Sequence, residues 1–466
     1  MVVSYKIKRV FGIWVFIGLL ISGLNVPALT VKSFAKQKNG KLISLNEAIK
    51  IALQNNASLK AAQQGLRVAN YKVKKSRLDL FPKADLQFNY ARLDPRTVRR
   101  GNVFVDVGRA LVDTFGTGDP NDIRPGAYDN NFSTTFQVVQ PIYNGGANWA
   151  AVSLARAQES GSEYYLEDTK QQVILEVKTR YLQILQAQEL VVLAQKSLES
   201  SQEHLSSSQK MLDVGLRSRT DVLRWAVQKA NDEGRLVEME NNLEIAFAAL
   251  KQVMGIPYEH DLAISPLPFD PVPLTQSLNE QIKQTKTQHP GLKSVEASVD
   301  AQRAGVRLAC SAFQPKINFV YQIGWEQNNT LALDSFSFWS ASLSVNIPIF
   351  HSFSNITNLQ EAKAELNRLE ELKEDSDRVL TLEVIRARLN VESAIKRFHI
   401  AKKAVEQAEE NLRVINNTYE VGLAANIDVL DAQVVHTRAQ AELINTRYNY
   451  WIAKAQLDRA MGILME

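Results

Sequence analysis

An internal repeat is the feature that most constrains the fold of this chain. Residues 214–223 return at residues 421–430, which lie 207 positions later, and the register holds without a gap over residues 141–256. Each copy predicts a long helix, a tight turn at Gly215 or Gly422, and a second helix, because glycine commonly takes the left-handed conformation that ends a helix. We therefore expect two similar structural halves.

Each half contains two segments in which apolar and polar residues alternate. In the first of them Leu86, Phe88 and Tyr90 alternate with polar residues. This period predicts strands with one apolar and one polar face, and Pro141 is expected to close the second strand. The predicted strands are residues 83–92 and 132–140 in the first half, and residues 316–325 and 338–347 in the second.

The long helices carry a seven-residue apolar period. It runs from Val177 to Leu212 in the first half and from Val384 to Tyr419 in the second. Such a sustained period predicts coiled-coil packing. Helices about 100 Å long do not fit inside a compact globule. The predicted helices are the long helices 144–212 and 355–420 and the return helices 218–254 and 426–461.

Three other segments complete the predicted organisation. Residues 44–80 have helical spacing; residues 93–131 are polar and irregular, which favours an external loop; and residues 258–275 contain four prolines, which favours a stiff linker. The predicted divisions are a signal peptide 1–35, a first repeat 36–257, a linker 258–275 and a second repeat 276–466.

The first 35 residues have the pattern of a secretory signal peptide: basic residues, a short apolar run, then small residues. A membrane anchor is the alternative, but the run is short for a span. Because this segment contains four basic residues and no acid, its removal takes the formal charge from +4 to 0, which removes the support for a nucleic-acid partner. The single cysteine, Cys310, excludes an internal disulfide and is expected to be a small packed residue.

Four strands are too few to close a membrane barrel, which needs about eight. Their alternation matches lipid-facing and lumen-facing residues, and open sheet edges are not tolerated in lipid. Two copies of the chain would supply eight strands and three would supply twelve, of which only twelve leave a solvated lumen. A half-buried sheet in a soluble protein, or a rod without a channel, remains an alternative from these patterns.

The repeat, the proline-bounded strands and the paired turns together resemble the TolC-like outer-membrane efflux proteins, also called outer membrane factors. The similarity spans about residues 42–462. It implies a mainly α fold with a β-barrel part: a homotrimer whose twelve-stranded outer-membrane β-barrel continues into a periplasmic α-helical, coiled-coil barrel. It also implies a passive exit duct in a tripartite efflux or type I secretion system, which partners a periplasmic adaptor, an inner-membrane transporter and outer-membrane lipid. The alternative is a non-conducting periplasmic scaffold or adaptor.

The resemblance assigns a gate to the repeated turns. Asp428 and Asp431 share one helix face and match entrance aspartates of the family, so three copies would place six carboxylates around one aperture and favour cations. Stabilisation of the helix N-terminus is the other explanation for such aspartates. Asp221 and Tyr419 match residues that help close the tip. An arginine common in the family is replaced by Ala424.

The same turns are expected to bind the adaptor, through Gly215, Leu216, Gly422 and Leu423. Turn geometry alone also explains the two glycines.

No pattern indicates catalysis or a cofactor. The six histidines show no metal-ligand spacing, and Gly116-Thr117-Gly118 lacks the Lys-Ser or Lys-Thr that completes a phosphate-binding loop. We therefore expect no enzyme activity and no cofactor.

Overall fold

A computed structural model describes residues 41–116, 118–119, 129–266, 271–328, 337–350 and 352–464. The predicted signal peptide lies outside these residues. In chain order the elements are β1 (Lys41–Ile43), α1 (Leu45–Asn55), α2 (Ala57–Leu78), β2 (Lys83–Arg92), α3 (Pro95–Phe115), β3 (Asn130–Asn144), α4 (Ala147–Asp213), α5 (Arg219–Met254), β4 (Leu262–Ile264), α6 (Leu278–Gln288), α7 (Pro290–Cys310), β5 (Lys316–Asn328), β6 (Ser337–Asn346), α8 (Ser354–Glu420) and α9 (Asn426–Ala460). The chain is mainly helical.

Strands β2, β3, β5 and β6 form one antiparallel sheet in that order. The register places the alternating apolar side chains of all four strands on the same face, because Leu86 pairs with Phe136, Phe136 with Ile323 and Ile323 with Trp339. Asp85 and its polar counterparts occupy the other face. Strands β2 and β6 are the two edges of this sheet.

Helices α4 and α8 run unbroken for 67 residues each, or about 100 Å. The sheet lies at the end where α4 begins, and the repeated turns lie at the end where it stops. Helices α5 and α9 return along α4 and α8, respectively. The seam positions Val177, Ile184, Val384 and Val391 are fully buried, as expected for packed coiled-coil helices.

The hydrophobic core surrounds the middle of the long helices rather than either end. It includes Ile49 of α1, Val177 of α4 and Met254 of α5. Strands β1 and β4 pair in parallel beside this core. The Tyr181 hydroxyl lies against their ends, 3.1 Å from the Ile43 carbonyl and 2.8 Å from the Ser265 carbonyl. We call this region, with α1, β1, β4 and α6, the middle layer.

The predicted helical segment of residues 44–80 is divided into two helices. Asn56 separates α1 from α2, and its side-chain oxygen accepts hydrogen bonds from the backbone of Ser58 at 2.9 Å and Leu59 at 3.2 Å. The side-chain nitrogen of Asn56 donates to the Val253 carbonyl at 2.9 Å. The residue therefore starts a new helix and ties it to α5, which helical periodicity alone does not reveal.

Residues 93–131 are not wholly irregular, because they contain the 21-residue helix α3. Pro141 does not end β3, which continues to Asn144 with a register shift between Pro141 and Tyr143. A proline has no N–H to donate to the ladder, so an irregularity is the usual accommodation.

Two smaller expectations also differ from the structure. The predicted linker contains β4, whose partner strand is more than 200 residues earlier in the chain. Cys310 is exposed at the end of α7, rather than packed.

Candidate functional site

The two repeated turns have the same helix-ending geometry. After α4, the Leu216 amide donates to the Met211 carbonyl at 2.8 Å and the Gly215 amide to the Leu212 carbonyl at 2.9 Å. After α8, the amides of Leu423 and Gly422 make the corresponding bonds at 2.9 and 3.0 Å. These paired bonds define a Schellman motif.

The glycines are required by backbone conformation rather than by space. Gly215 has φ 76° and Gly422 has φ 79°, and a Cβ atom added at either position would have no neighbour within 4 Å. The leucines that follow are exposed, Leu216 by 74% and Leu423 by 83%. Turn geometry therefore accounts for the glycines but not for two large apolar side chains in solvent.

The starts of the return helices differ between the two copies. At α5, the Ser218 hydroxyl accepts the Asp221 amide at 3.2 Å while Asp221 Oδ2 accepts the Ser218 amide at 3.3 Å, which is a reciprocal capping box. At α9 the cap position is Ala425, which has no side-chain acceptor. Asp428 Oδ2 still accepts the Ala425 amide at 2.9 Å.

The pKa of Asp221 lies below its ordinary value. Partial burial acts to raise it, but hydrogen bonds from the side chain and backbone of Ser218, with smaller contributions from Asn426 and Arg217, outweigh that effect. Asp221 is therefore held as a carboxylate by its structural role at the start of α5.

An aromatic and cationic contact joins the two turns. The guanidinium carbon of Arg217 lies 4.2 Å from the centre of the Tyr419 ring, which is within cation–π distance. Arg217 belongs to the first turn, whereas the family arginine noted above would stand at Ala424 in the second. The positive charge at this contact thus comes from the other copy of the repeat.

A buried hydrogen bond lies directly behind that contact. The Trp225 indole N–H donates to Asn426 Oδ1 at 2.6 Å, and the two residues are 1% and 3% exposed. The Asn426 amide nitrogen lies 3.4 Å from the Asp221 carbonyl, and His204 stacks on the Trp225 ring with centroids 4.4 Å apart. We call the group formed by Arg217, Tyr419, Trp225 and Asn426 the tip clamp.

Sequence analysis did not single out Trp225, Asn426 or His204. The repeat contained a usable signal, because Trp225 aligns with Ala432 and Asn426 aligns with Arg219. At these two positions the copies differ because they contact each other, with Trp225 donating to Asn426.

The structure places all eight predicted site residues at one end of the molecule. Tyr419 belongs to the tip clamp, and Asp221 lies beside it because its carbonyl faces the Asn426 amide. Asp428 and Asp431 have exposed side chains at the start of α9. The four docking candidates form the two turns themselves. In the described parts of the chain, no group of His, Cys, Asp and Glu is arranged to hold a metal ion.

None of the helices within the described ranges is both long and apolar enough to cross a membrane.

Comparison with known proteins gives consistent matches along the chain. The family model described as outer membrane efflux protein matches residues 48–256 and 281–463. Outer membrane protein TolC of Escherichia coli is 24% identical over 439 residues, covering 91% of this chain and 86% of that protein. The proteases secretion protein PrtF of Dickeya chrysanthemi is 23% identical, covering 94% of this chain and 92% of that protein.

Solved structures show the same fold at lower sequence identity. The CusC structure, described in terms of transmembrane channel formation, has a TM-score of 0.76 at 17% identity and covers 95% of this chain and 99% of its own. The CmeC outer membrane channel of Campylobacter jejuni has a TM-score of 0.75 at 18% identity, with 96% and 95% covered.

Proposed function

Since this chain belongs to the outer membrane efflux protein family, we propose that it is the outer-membrane channel of a tripartite efflux or type I secretion system. It is a passive exit duct, through which a substrate delivered by an inner-membrane transporter and a periplasmic adaptor leaves the cell. The observation that carries the proposal is a sheet with one apolar face and two open edges, continued by helices about 100 Å long.

The sheet supports assembly into a homotrimer. The apolar face presents exposed side chains, with Trp339 exposed by 70%, and strands β2 and β6 leave their outer edges unpaired within the sheet. The apolar face suits contact with lipid, but open edges are not tolerated in a bilayer unless they pair with further strands. Three copies would give a twelve-stranded barrel with a lumen, since about eight strands leave an interior filled by side chains.

The exposed aspartates of the second turn support a gate at the opposite end. Asp428 lies in the first turn of α9 and Asp431 about one turn further along, where stabilisation of the helix end explains a carboxylate less well. In a trimer these residues would supply six carboxylates to one aperture, which would prefer cations.

The exposed turns support docking of the adaptor. Leu216 and Leu423 project at the end of the molecule farthest from the sheet, and each follows a glycine whose conformation fixes its direction. A partner that covers both leucines would gain about 2 kcal/mol for each buried side chain.

The names of the relatives include both efflux and secretion. TtgC is named a toluene efflux pump outer membrane protein, and PrtF is named for the secretion of proteases. The duct common to both uses is what we assign to this chain.

Planar-bilayer conductance tests the proposal. The purified protein should give a small, cation-preferring current and should run as a trimer by light scattering in detergent. A stable monomer, or the absence of any current after reconstitution, would contradict it.

Selectivity tests the gate separately. The Asp428→Ala/Asp431→Ala variant should lose most of the cation preference. Asp106→Ala/Asp113→Ala, which removes the same charge from α3 near the opposite end, is the matched control and should retain it. Equal selectivity in both double variants would remove Asp428 and Asp431 from the gate.

A further inference from the structure

Helix α3 is long and well capped. The Asp94 carboxylate accepts the Arg96 amide at 2.8 Å and the Thr97 amide at 3.4 Å, and Pro95 occupies the first helical position. At the other end, Gly116 takes the left-handed conformation with φ 65°. Both ends therefore specify a helix of 21 residues.

One face of the helix nevertheless has no packing partner among the described residues. Within the part of the chain that the structure describes, no other helix or strand packs along α3. Five of its large apolar side chains are exposed, and Phe104 is exposed by 88%. They fall on one face at helical spacing: Val103, Phe104, Val107, Leu111 and Phe115. Most helical stability comes from packing such a face, so its partner must lie outside the described chain.

The position of α3 in the molecule indicates what its apolar face contacts. Helix α3 joins the ends of β2 and β3 that lie farthest from the long helices, and the Leu93 amide donates to the Asp129 carbonyl at 2.8 Å at its base. The apolar face of the sheet ends there in aromatic residues, with Tyr90 and Phe132 4.8 Å apart. Aromatic residues at the ends of lipid-facing strands mark the membrane interface.

The charge of α3 also bears on the identity of this partner. Arg96, Arg99 and Arg100 lie in the first two turns of α3, and the whole helix has four arginines against two aspartates. Folding three such helices over the axis of a trimer would bring clusters of like charge together, which is unfavourable. Phosphate-bearing lipid offers the complementary charge, and long arginine side chains can reach it from the edge of an apolar surface.

We propose that α3 lies on the outer leaflet of the membrane, with its apolar face among the lipid chains and its N-terminal arginines bound to lipid phosphates. This inference rests on the proposed function, because it requires the sheet to be part of a membrane barrel. In this position α3 sets how deeply the barrel is inserted in the bilayer.

Site-specific labelling tests the proposed lipid contact. In a Cys310→Ser background, Leu111→Cys and Asp113→Cys place one polarity-sensitive fluorophore on the apolar face and one on the opposite face. The protein is reconstituted in vesicles that contain phosphatidylglycerol and phosphatidylcholine with brominated chains. The label at position 111 should be quenched at least about twofold more than the label at position 113, because only an interfacial helix face reaches the acyl chains.

The arginines are tested in the same assay. Replacing Arg96, Arg99 and Arg100 by Gln should reduce quenching at position 111 in anionic vesicles to the level seen with phosphatidylcholine alone. Equal quenching at positions 111 and 113 would overturn the proposal. So would a label at position 111 that is shielded in detergent and insensitive to brominated lipid, since the face would then pack on another copy of the chain.

Conductance in the same preparation separates the two proposals. A conducting channel with an unquenched label at position 111 contradicts only the lipid contact of α3. A quenched label in a protein without conductance contradicts only the channel.

Discussion

The two turns at the tip have the same backbone conformation at their glycines but differ in the side chains at the starts of the helices that follow. Both end a 67-residue helix through a glycine with positive φ. The first turn then satisfies its aspartate through Ser218, while the second has Ala425 at the equivalent place. The carboxylate of Asp221 therefore accepts hydrogen bonds from both the amide and the hydroxyl of Ser218, whereas Asp428 accepts only the Ala425 amide, and Asp428 and Asp431 are exposed.

This difference indicates a division of labour between the copies. The first copy supplies Arg217 and Trp225 to the tip clamp, and the second supplies their partners Tyr419 and Asn426. Only the second copy also supplies the exposed carboxylates proposed for the aperture. A duplicated turn can thus keep its backbone geometry while the side chains of the two copies diverge.

The largest expected effect comes from Asn426→Ala, which removes the side chain that the two copies share. The Trp225 indole N–H would lose its acceptor in a buried site, at a cost of about 1–3 kcal/mol. Hydrogen exchange at the start of α5 and α9 should accelerate, and conductance should rise. Asn241→Ala, at an exposed position of α5, is the control, and unchanged exchange in Asn426→Ala would show that the clamp does not hold the tip.

A single substitution at either cap position, Ser218→Ala or Ala425→Ser, gives both turns the same cap residue. Ser218→Ala should weaken the start of α5 by about 1 kcal/mol, and Ala425→Ser should strengthen the start of α9 by a similar amount. Exchange of the Asp221 amide should become about fivefold faster in the first variant, and that of the Asp428 amide about fivefold slower in the second. Slower exchange at Asp221 in the first variant, faster exchange at Asp428 in the second, or no change in either would refute the assigned difference between the caps.

The contact between Arg217 and Tyr419 should show a smaller coupling. A double-mutant cycle with Arg217→Ala and Tyr419→Leu should give a coupling free energy of about 0.5–1 kcal/mol, the usual value for an exposed cation–π pair. Arg219→Ala is the control, since Arg219 is exposed two residues away. If the two substitutions are additive, the charge supplied by the first copy does not replace the one absent at Ala424.

The smallest effect is a dependence on acidity at the first turn. Because the pKa of Asp221 is lowered in the folded protein, its stabilisation is complete above the ordinary value of 3.8 and is lost as pH falls through the lowered value. Protection of the Asp221 amide, corrected for the intrinsic exchange rate, should decline in that acidic range. Asp221→Asn should abolish the decline, and a decline that persists in this variant must have another cause.

Sequence reasoning was most reliable where a period is long. The seven-residue period and the alternating strands place α4, α5, α8 and α9 and the sheet to within a few residues, because each period reports directly which face is buried. The composition of residues 93–131 concealed α3, since prolines and glycines flank a helix whose apolar face has no partner among the described residues.

The features that the sequence did not predict depend on single side chains or on partners far away in the chain. Asn56 divides a helical pattern because it caps the start of α2. Strand β4 forms because it pairs with β1, far away in the sequence. Neither feature produces a periodic pattern in the local sequence. At the tip, the repeat located the turns and the aspartates. Trp225 and Asn426 of the tip clamp were not predicted, because their role lies in a contact between the copies rather than in a feature that the copies share.

The parallel pairing of β1 with β4 has a consequence for the order in which the molecule can form. Strand β1 stands near the start of the described chain, yet its partner is contributed by residues 262–264, after the whole first repeat. A contact of such long sequence separation is slow to form, since the intervening chain must first be closed into a loop. Strand β1 can therefore pair only after β4 has emerged during export, so we expect the middle layer to be completed later than the contacts between neighbouring helices.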